Sequence, residues 1–306
     1  MNQSCLEVYH PLPPRPLDYP ISATMVLDSI WGAGTDWEVR LSTLELVFPR
    51  YILPELGTHR IFSKNASSSR AIPTAKAIMD SSDVYPVRWG KNQKGMQPSE
   101  DNLSEEDTIK AKLIWERMMN ACKEGAAELA ELKLHKQWAS RPLEWFSTIK
   151  VLVSSTEWEN FFFLRDHPAA QDEIHYLTHD IKAALKGSTP VVRGERDWHI
   201  PYVEENSTLD LLTKLKVSSA RCARTSYKTV FGVTSSLQED IDMFSRLCKA
   251  DETEPFHASP TEHQARLKNL EGDPAWKVNN FSERLLQFRQ VVERNLLVSQ
   301  DMPFLV

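Results

Sequence analysis

Apolar residues recur at helical spacing in two stretches of the chain. The first begins after Ser104, where a serine is followed by three acidic residues, a pattern typical of a helix N-terminus. Its apolar positions are Ile114, Met118, Cys122, Leu129 and Leu132. The second has its apolar positions at Ile174, Leu177, Ile181 and Leu185. We predict a helix in each stretch, and we interpret both apolar stripes as faces buried in the core rather than as surfaces for a partner.

Other stretches predict a strand, a long loop and an N-terminal arm. Residues 43–53, TLELVFPRYIL, are rich in β-branched and aromatic residues and predict a strand that leads into a polar segment. Glycine, proline and asparagine within residues 81–100 predict a long loop, whereas the apolar residues 145–164 are expected in the core. Five prolines among the first 20 residues predict an extended arm, which we take to span residues 1–40.

Composition and charge exclude several classes of protein. The chain has 306 residues, 41% hydrophobic and 25% charged, which is typical of a globular protein and excludes a disordered or fibrous one. No apolar run reaches the roughly 18 residues of a membrane span, so we expect a cytoplasmic protein without membrane contact. A net charge of −6 argues against binding of long nucleic acid and favours small anionic ligands. The four cysteines form no C-x-x-C pair, and we expect no metal site.

Residues 59–70 form an unusually dense set of hydrogen-bond donors. The segment holds two arginines, a histidine, an asparagine and four serines, and no acidic residue neutralises them. Such a set suits an anion, although the segment lacks the glycines through which a phosphate-binding loop lets backbone amides approach phosphates. The residues alone leave two interpretations open, an anion site or a solvated polar loop whose serines cap a helix.

Four motifs in this chain resemble those of the flavin-dependent thymidylate synthases. The first comprises Thr58, His59, Arg60, Ser63, Asn65, Ser68 and Arg70, and the second Asn160, Phe161, Leu164, Arg165, Gln171, Glu173 and Ile174. The third and fourth are residues 223–227, ARTSY, and residues 257–263, HASPTEH. The last two motifs come first in the usual family order. The chain therefore resembles a circularly permuted long variant, similar to phage and actinobacterial relatives, with a seam near residues 187–215.

The resemblance implies a fold, an assembly and an activity. The fold would be α/β (α+β), a mixed sheet with a helical layer, with residues 41–306 as one catalytic domain. The chain would form a homotetramer whose active sites are shared between subunits. The reaction would be C5-methylation of a uridylate, dUMP and as a second candidate UMP. Its cofactors would be FAD, NADPH and 5,10-methylene tetrahydrofolate, the first of which supplies the hydride.

The resemblance also implies roles for individual residues. Arg165 would be the catalytic residue, because a guanidinium over the uracil stabilises negative charge as C5 becomes nucleophilic. The residues implied for the nucleotide are Glu55, Ser68, Ser69, Arg70, Arg141 and Arg165. Those implied for the flavin are His59, Arg60, Ile61, Asn160, His257 and Ser259. For Arg224, Ser226 and Tyr227, contact with the flavin and packing at the shared interface remain equal alternatives.

Three positions depart from the family pattern. Thr58 replaces an arginine, which removes one cation near the flavin. Ala66 replaces a glutamate beside the substrate sugar, so a 2′-hydroxyl and hence UMP could be accepted. Glu55 replaces a glutamine on the approach to the nucleotide. The alternatives are therefore C5-hydroxymethylation of dUMP or dCMP on the same scaffold, or a relative that binds nucleotide or flavin without turnover.

Overall fold

A five-stranded mixed sheet organises the chain. The computed structural model describes residues 6–7, 9–12, 14–16, 18–81, 84–224, 235–248, 256–268 and 279–298, with side chains up to residue 293. The strands of the sheet are β1 (Ser22–Trp31), β2 (Val39–Pro49), β3 (Ser63–Ala66), β4 (Thr148–Ser155) and β5 (Val191–Val192). They lie in the order β3-β4-β2-β1-β5, with β5 parallel to β1 and the other neighbours antiparallel.

Nine α-helices and a small two-stranded sheet are described besides this sheet. The described helices are α1 (Leu53–Gly57), α2 (Thr74–Asp80), α3 (Glu105–Glu131), α4 (Lys136–Ala139), α5 (Glu159–Arg165), α6 (Asp172–Lys186), α7 (Leu211–Ala223), α8 (Leu237–Cys248) and α9 (Phe288–Val298). The strands of the small sheet are β6 (Ala265–Leu267) and β7 (Leu285–Gln287), which pair antiparallel. None of the helices described has the length and hydropathy needed to cross a membrane. The predicted α/β fold with a mixed sheet is confirmed.

The main core lies between the sheet and α6. Alternate residues of β2 and β4, including Leu44, Leu46 and Val151, point into the same cluster as the apolar stripe of α6. Ile174 and Ile181 of that stripe are completely buried. The predicted helix and its burial are therefore confirmed for this stretch.

A second apolar cluster forms where α7, α8 and α9 meet. Trp198, Leu215, Phe244 and Phe288 are buried together there. Buried polar contacts join this layer to the sheet. One example is His199, whose Nε2 lies 2.8 Å from the Thr43 hydroxyl of β2. The chain within the predicted seam is thereby fixed to the sheet.

The N-terminal arm is shorter than predicted. Residues 22–31 are not an arm, because they form β1, which pairs with both β2 and β5. The proline cluster dominated the prediction, although the run MVLDSIW within β1 is rich in apolar residues. The described residues before β1 contain no strand and cross α6, where Arg15 forms an ion pair of 2.8 Å with Asp180.

The helix predicted after Ser104 is confirmed as α3, but its apolar stripe is not a core face. Ser104 Oγ accepts a hydrogen bond of 3.1 Å from the Asp107 amide and so caps the helix. Ile114 and Met118 are 48% and 44% exposed, and only Met119 and Ala126 are buried. The interpretation was wrong because the rest of the described chain covers α3 along one narrow line only.

The segments beside α1 and α3 largely follow the sequence pattern. Residues 84–103 contain no helix or strand beyond one isolated bridge between Gly90 and Asn102, in agreement with the predicted loop. The strand predicted over residues 43–53 begins earlier, at Val39, and ends at Pro49. The polar segment that follows contains β3, which pairs with β4 and was not predicted.

Candidate active site

The turn between β2 and β3 carries four of the candidate residues, Glu55, His59, Arg60 and Ile61. It contains α1, whose Leu56 is completely buried and fixes the helix on the core. The Thr58 amide donates to the Pro54 carbonyl at 3.2 Å, and the His59 amide donates to the Leu56 carbonyl at 3.3 Å. These bonds continue the helix into the turn. Thr58 and His59 therefore have fixed positions about one helical turn after Glu55.

Arg165, the last residue of α5, is held by this turn. Its Nε donates to His59 Nε2 at 3.0 Å, and its Nη2 donates to Thr58 Oγ1 at 3.0 Å and to the Glu55 carbonyl at 3.3 Å. Within the described residues, Nη1 has no hydrogen-bond partner. We call Glu55, Thr58, His59 and Arg165 the Arg165 cluster. A guanidinium fixed in this way, with a donor left over, can stabilise negative charge on a ligand.

His59 is an internal member of this cluster. It is only 5% exposed, and its ring packs against Phe62 and Phe161 with centroid distances of 5.8 and 4.9 Å. Burial, together with the nearby cations Arg165 and Lys64, lowers the pKa of His59 to about 4. At neutral pH the imidazole is therefore uncharged, so that Nε2 accepts the hydrogen bond from Arg165. The side-chain hydrogen bond of His59 is thus with the Arg165 guanidinium.

A cavity of about 360 Å³ lies beside the first residues of α1, Leu53 and Pro54. We call it the Arg50 cavity, and it is lined by Arg50, Tyr51, Leu53, Pro54, Ser68, Ser69, Arg141, Glu144 and Trp145. Two arginines and two serines on one cavity are a donor set that suits phosphate. The predicted residues Ser68, Ser69 and Arg141 are thus brought together. Arg70 is exposed and is not part of the lining.

Arg141 already has a carboxylate partner in this cavity. Its Nη1 donates to both carboxylate oxygens of Glu144, at 3.0 and 3.2 Å. Arg50, which the sequence analysis missed, has no carboxylate within 4.0 Å in the part of the chain that the structure describes. A sequence signal for it existed, because an arginine inside the apolar run TLELVFPRYIL is unusual.

Next to Arg165, the Asp166 carboxylate lies at the centre of a buried polar network. Its Oδ1 accepts hydrogen bonds from the His10 amide, His175 Nε2 and His179 Nε2 at 3.0, 2.8 and 3.0 Å, and its Oδ2 accepts one from Lys182. Burial alone would raise the pKa of Asp166, but these hydrogen bonds hold it well below its usual range.

Asp166, His175 and His179 are close enough to one another to hold a metal ion. Lys182, however, already supplies a positive charge to the carboxylate, and three donors occupy Oδ1. The geometry therefore fits a structural network better than a metal centre. It fixes the chain directly after Arg165 to α6 and to the N-terminal arm.

The residues implied for a flavin occupy several surfaces. Arg60 and Ile61 are exposed on the turn after His59. Asn160 is exposed and lines a separate cavity of about 480 Å³ together with Phe162, Phe163 and Lys182.

Ser259 is the exposed first residue of a 3-10 turn, Ser259–Glu262, and His257 is exposed two residues before it. Gln287 connects this turn to β3, because its Nε2 donates to the Ser63 hydroxyl at 3.1 Å and to the Glu262 carbonyl at 2.7 Å.

The third motif has a structural partner where it is described. Arg224 Nε donates to Asp240 Oδ1 at 3.2 Å, and Arg221 binds the other oxygen of the same carboxylate at 3.0 Å. Arg224 thus joins α7 to α8. Ser226 and Tyr227 lie outside the described residues.

Comparison with known proteins gives one family match. The sequence profile of the family described as "Thymidylate synthase complementing protein" matches residues 27–191, more than half of the 306-residue chain. That range contains the Arg165 cluster and all residues that line the Arg50 cavity. A comparison with curated proteins gave no match.

Two solved structures are similar to the chain at low identity. One is the UMP/dUMP methylase PolB from Streptomyces cacaoi bound with 5-Br UMP, at 16% identity and a TM-score of 0.43 over 56% of this chain and 92% of that chain. The same protein bound with 5-Br dUMP has 14% identity and a TM-score of 0.42 over 55% and 90%.

Proposed function

The chain belongs to the thymidylate synthase complementing protein family and is an enzyme of the flavin-dependent thymidylate synthase type, and from this we propose that it methylates C5 of a uridylate. The proposed substrate is dUMP, with UMP as a second substrate. One observation of the structure supports this proposal above the others. A fixed guanidinium and a cavity lined by two arginines and two serines share one short helix, α1, because Arg165 bonds to the Glu55 carbonyl while Leu53 and Pro54 line the cavity.

The Arg165 cluster suits the base of the nucleotide. Negative charge on the uracil ring makes C5 nucleophilic towards the one-carbon unit, and a preorganised cation stabilises that charge without reorganisation. Three acceptors fix Arg165, and Nη1 remains available to a ring oxygen. His59 is a positioning residue in this account, because it contacts Arg165 directly.

The Arg50 cavity suits the phosphate of the same nucleotide. Arginine binds phosphate oxygens in a two-pronged geometry, and serine hydroxyls add further donors. Ser68, Ser69 and Arg141 are proposed as the phosphate ligands in this cavity. Arg70, which is exposed one residue beyond Ser69, is proposed to reach the phosphate from the solvent side.

The cofactors remain proposals that rest on the family. FAD would supply the hydride to the transferred carbon, NADPH would reduce FAD, and 5,10-methylene tetrahydrofolate would supply the carbon. Exposed Arg60 and Ile61 offer a cation for a pyrophosphate and an apolar contact for a ring system. His257, Ser259 and Asn160 are proposed to complete the flavin site. His59 faces Arg165 and two phenylalanines, so its proposed contribution to that site is indirect.

The product separates the proposed activity from its rivals. We expect dUMP, incubated with FAD, NADPH and 5,10-methylene tetrahydrofolate, to give a nucleotide whose mass corresponds to replacement of one hydrogen by methyl. A mass corresponding to hydroxymethyl would favour the alternative chemistry on the same scaffold. Bound flavin or nucleotide without any product would identify a relative that binds but does not turn over.

The acceptance of UMP depends on Ala66. This residue is exposed at the end of β3, where relatives carry a glutamate beside the sugar. Without that carboxylate, a 2′-hydroxyl meets neither a steric nor a charge obstacle from this position. We expect Ala66→Glu to lower kcat/KM for UMP more than for dUMP. Equal ratios in the parent and the variant would contradict this explanation.

One observation favours dCMP as a second candidate substrate. Glu55 Oε2 is buried and has no hydrogen-bond partner among the described residues. A carboxylate oxygen accepts from the 4-amino group of cytosine, whereas the O4 of uracil is itself an acceptor. We therefore expect Glu55→Gln to shift the ratio of dCMP to dUMP turnover towards dUMP. An unchanged ratio would remove Glu55 from base selection.

The assembly is proposed to be a homotetramer with shared active sites. The exposed apolar residues of α3 support a subunit contact, and they are Ile109, Leu113, Ile114 and Met118. Burial of such residues between copies is favourable because it removes apolar surface from water. Light scattering should give a tetramer for the parent and a smaller species for the variant Ile114→Glu/Met118→Glu. A monomeric parent would contradict the proposal.

A further inference from the structure

Arg50 lines the candidate site with few hydrogen-bond partners among the described residues. Its Nε is buried without a hydrogen-bond partner in the described part of the chain, and its Nη1 makes only a contact of 3.5 Å with the Ser67 carbonyl, at the limit of a hydrogen bond. A buried charge normally has a paired and hydrogen-bonded environment, because removal from water penalises it. Arg50 as a whole is half-buried, but its buried Nε lacks such a partner among the described residues.

The backbone around Arg50 fixes this side chain beside Arg141. Arg50 begins a 3-10 turn directly after β2, and its amide donates to the Ser147 carbonyl at 2.9 Å. Ser147 directly follows the 3-10 helix that carries Arg141 and Glu144. The two arginines therefore line one cavity from two adjoining turns.

The electrostatic surroundings of Arg50 point to an anionic ligand. Burial lowers the pKa of the Arg50 guanidinium, Arg141 lowers it further, and Glu144 acts in the opposite direction. Glu144 is the carboxylate that lines this cavity, but both of its oxygens accept hydrogen bonds from Arg141 rather than from Arg50. A second anion on the cavity would satisfy Arg50.

We propose that Arg50 is a further phosphate-binding residue of the nucleotide site and that Glu144 is an internal carboxylate with which the substrate phosphate competes for Arg141. This inference rests on the proposed function, because it takes the ligand of the cavity to be a nucleotide monophosphate. The phosphate dianion carries more charge than the Glu144 carboxylate and offers oxygens to both arginines at once. The exchange requires only that Glu144 release Arg141.

The test compares ligands with and without phosphate in variants that remove one charge. Calorimetry would measure the dissociation constants of dUMP, deoxyuridine and inorganic phosphate for the parent, Arg50→Met, Arg50→Lys and Glu144→Gln. Arg196→Met is the matched control, because Arg196 is exposed outside the cavity and its replacement changes the net charge equally. Melting temperatures without ligand would be recorded for every variant.

A phosphate-binding role gives a distinct pattern of results. Arg50→Met should bind dUMP about 10- to 100-fold more weakly and deoxyuridine as the parent does, because one or two charge-assisted hydrogen bonds are lost. Its melting temperature should be equal or higher, since methionine keeps the apolar stem and removes a desolvated charge. Arg50→Lys should recover part of the affinity, and Glu144→Gln should bind dUMP several-fold more tightly.

Other patterns would overturn the inference. If Arg50→Met binds dUMP like Arg196→Met but melts at a lower temperature, Arg50 is only a structural residue. If the parent binds inorganic phosphate through Arg50 but does not bind dUMP, the phosphate site stands and the proposed uridylate substrate fails. If the parent binds neither ligand, both proposals fail.

Discussion

Arg165 in the Arg165 cluster and Arg50 in the Arg50 cavity differ in how many protein acceptors bind their guanidinium groups. Arg165 has three protein acceptors within 3.3 Å, two of them side chains. Arg50 has one contact of 3.5 Å and a buried Nε without a described partner. The first arginine is fixed before a ligand arrives, whereas the second gains its partners from the ligand. We therefore expect the Arg165 cluster to determine the rate of the chemical step and the Arg50 cavity to determine affinity.

Replacement of Arg165 should have the largest effect on activity. If this replacement leaves the rate of the chemical step unchanged, the proposed division between rate and affinity is wrong. We expect Arg165→Met to lower kcat for dUMP by about 10²- to 10³-fold, the range seen when one preorganised donor to a developing anion is removed. The dissociation constant of dUMP should change by less than about tenfold, because the phosphate contacts remain. Steady-state kinetics together with calorimetry would separate the two. A variant that loses affinity but keeps kcat would contradict the division.

Replacement of Arg141 sharpens the comparison from the other side. Arg141→Met should raise KM for dUMP by about tenfold and leave kcat within a few-fold, because it removes a contact made equally in the ground state and in the transition state. Deoxyuridine, which lacks the phosphate, serves as the control ligand and should bind to the variant as it does to the parent. If Arg141→Met and Arg165→Met have the same kinetic signature, the two regions do not have separate roles.

His59 gives a smaller effect that depends on pH. The pKa of His59 is lowered to about 4 in the folded protein, below the roughly 6.5 of an unfolded chain, so the unfolded state binds a proton first as pH falls. Its contribution to stability is thus fully present above about pH 6.5 and is lost as pH falls towards 4. Between pH 7 and pH 5, the free energy of unfolding should fall about 1–2 kcal/mol more in the parent than in His59→Phe.

This difference isolates His59 from other histidines. His199 and His263, whose pKa values burial also lowers, are present in both proteins and cancel in the comparison. The measurement is denaturant unfolding at the two pH values. Identical pH dependence in the parent and in His59→Phe would show that the histidine is not held uncharged beside Arg165.

Thr58 should give the smallest effect. Thr58→Val removes the hydroxyl that accepts from Arg165 Nη2 at 3.0 Å but keeps the shape of the side chain. The bond is exposed to solvent, so water can replace it in part, and we expect kcat to fall only about two- to fivefold. If kcat falls more in Thr58→Val than in His59→Phe, the hydroxyl rather than the imidazole positions the guanidinium.

Periodicity predicted α3 and α6 but not which surfaces these two helices cover. The stripes of α3 and α6 have the same spacing, yet Ile174 is completely buried while Ile114 is 48% exposed. The difference lies in tertiary neighbours, because α6 packs on the sheet and α3 is attached through few side chains such as Trp115, which bonds to the Val84 carbonyl at 3.0 Å. Spacing within one helix contains no information about such neighbours.

The candidate site was predictable where motifs exist and not where the fold alone brings residues together. The motifs included both His59 and Arg165, but only the fold shows that these two side chains, 106 residues apart, form a hydrogen bond. Arg50 belongs to no motif that we recognised, and it reaches the site because β2 ends directly before it. An arginine in an apolar run is a usable signal for a buried cation that needs a ligand.

Tritium release from uracil C5 reports the proposed reaction at the reacting atom itself. The protein would be incubated with FAD, NADPH, 5,10-methylene tetrahydrofolate and dUMP tritiated at C5, and tritium in water would be counted for the parent and for Arg165→Met. We expect the parent to release tritium and Arg165→Met to release it at least about 10²-fold more slowly. No release by a parent that binds both FAD and dUMP, or equal release by the two proteins, would contradict it.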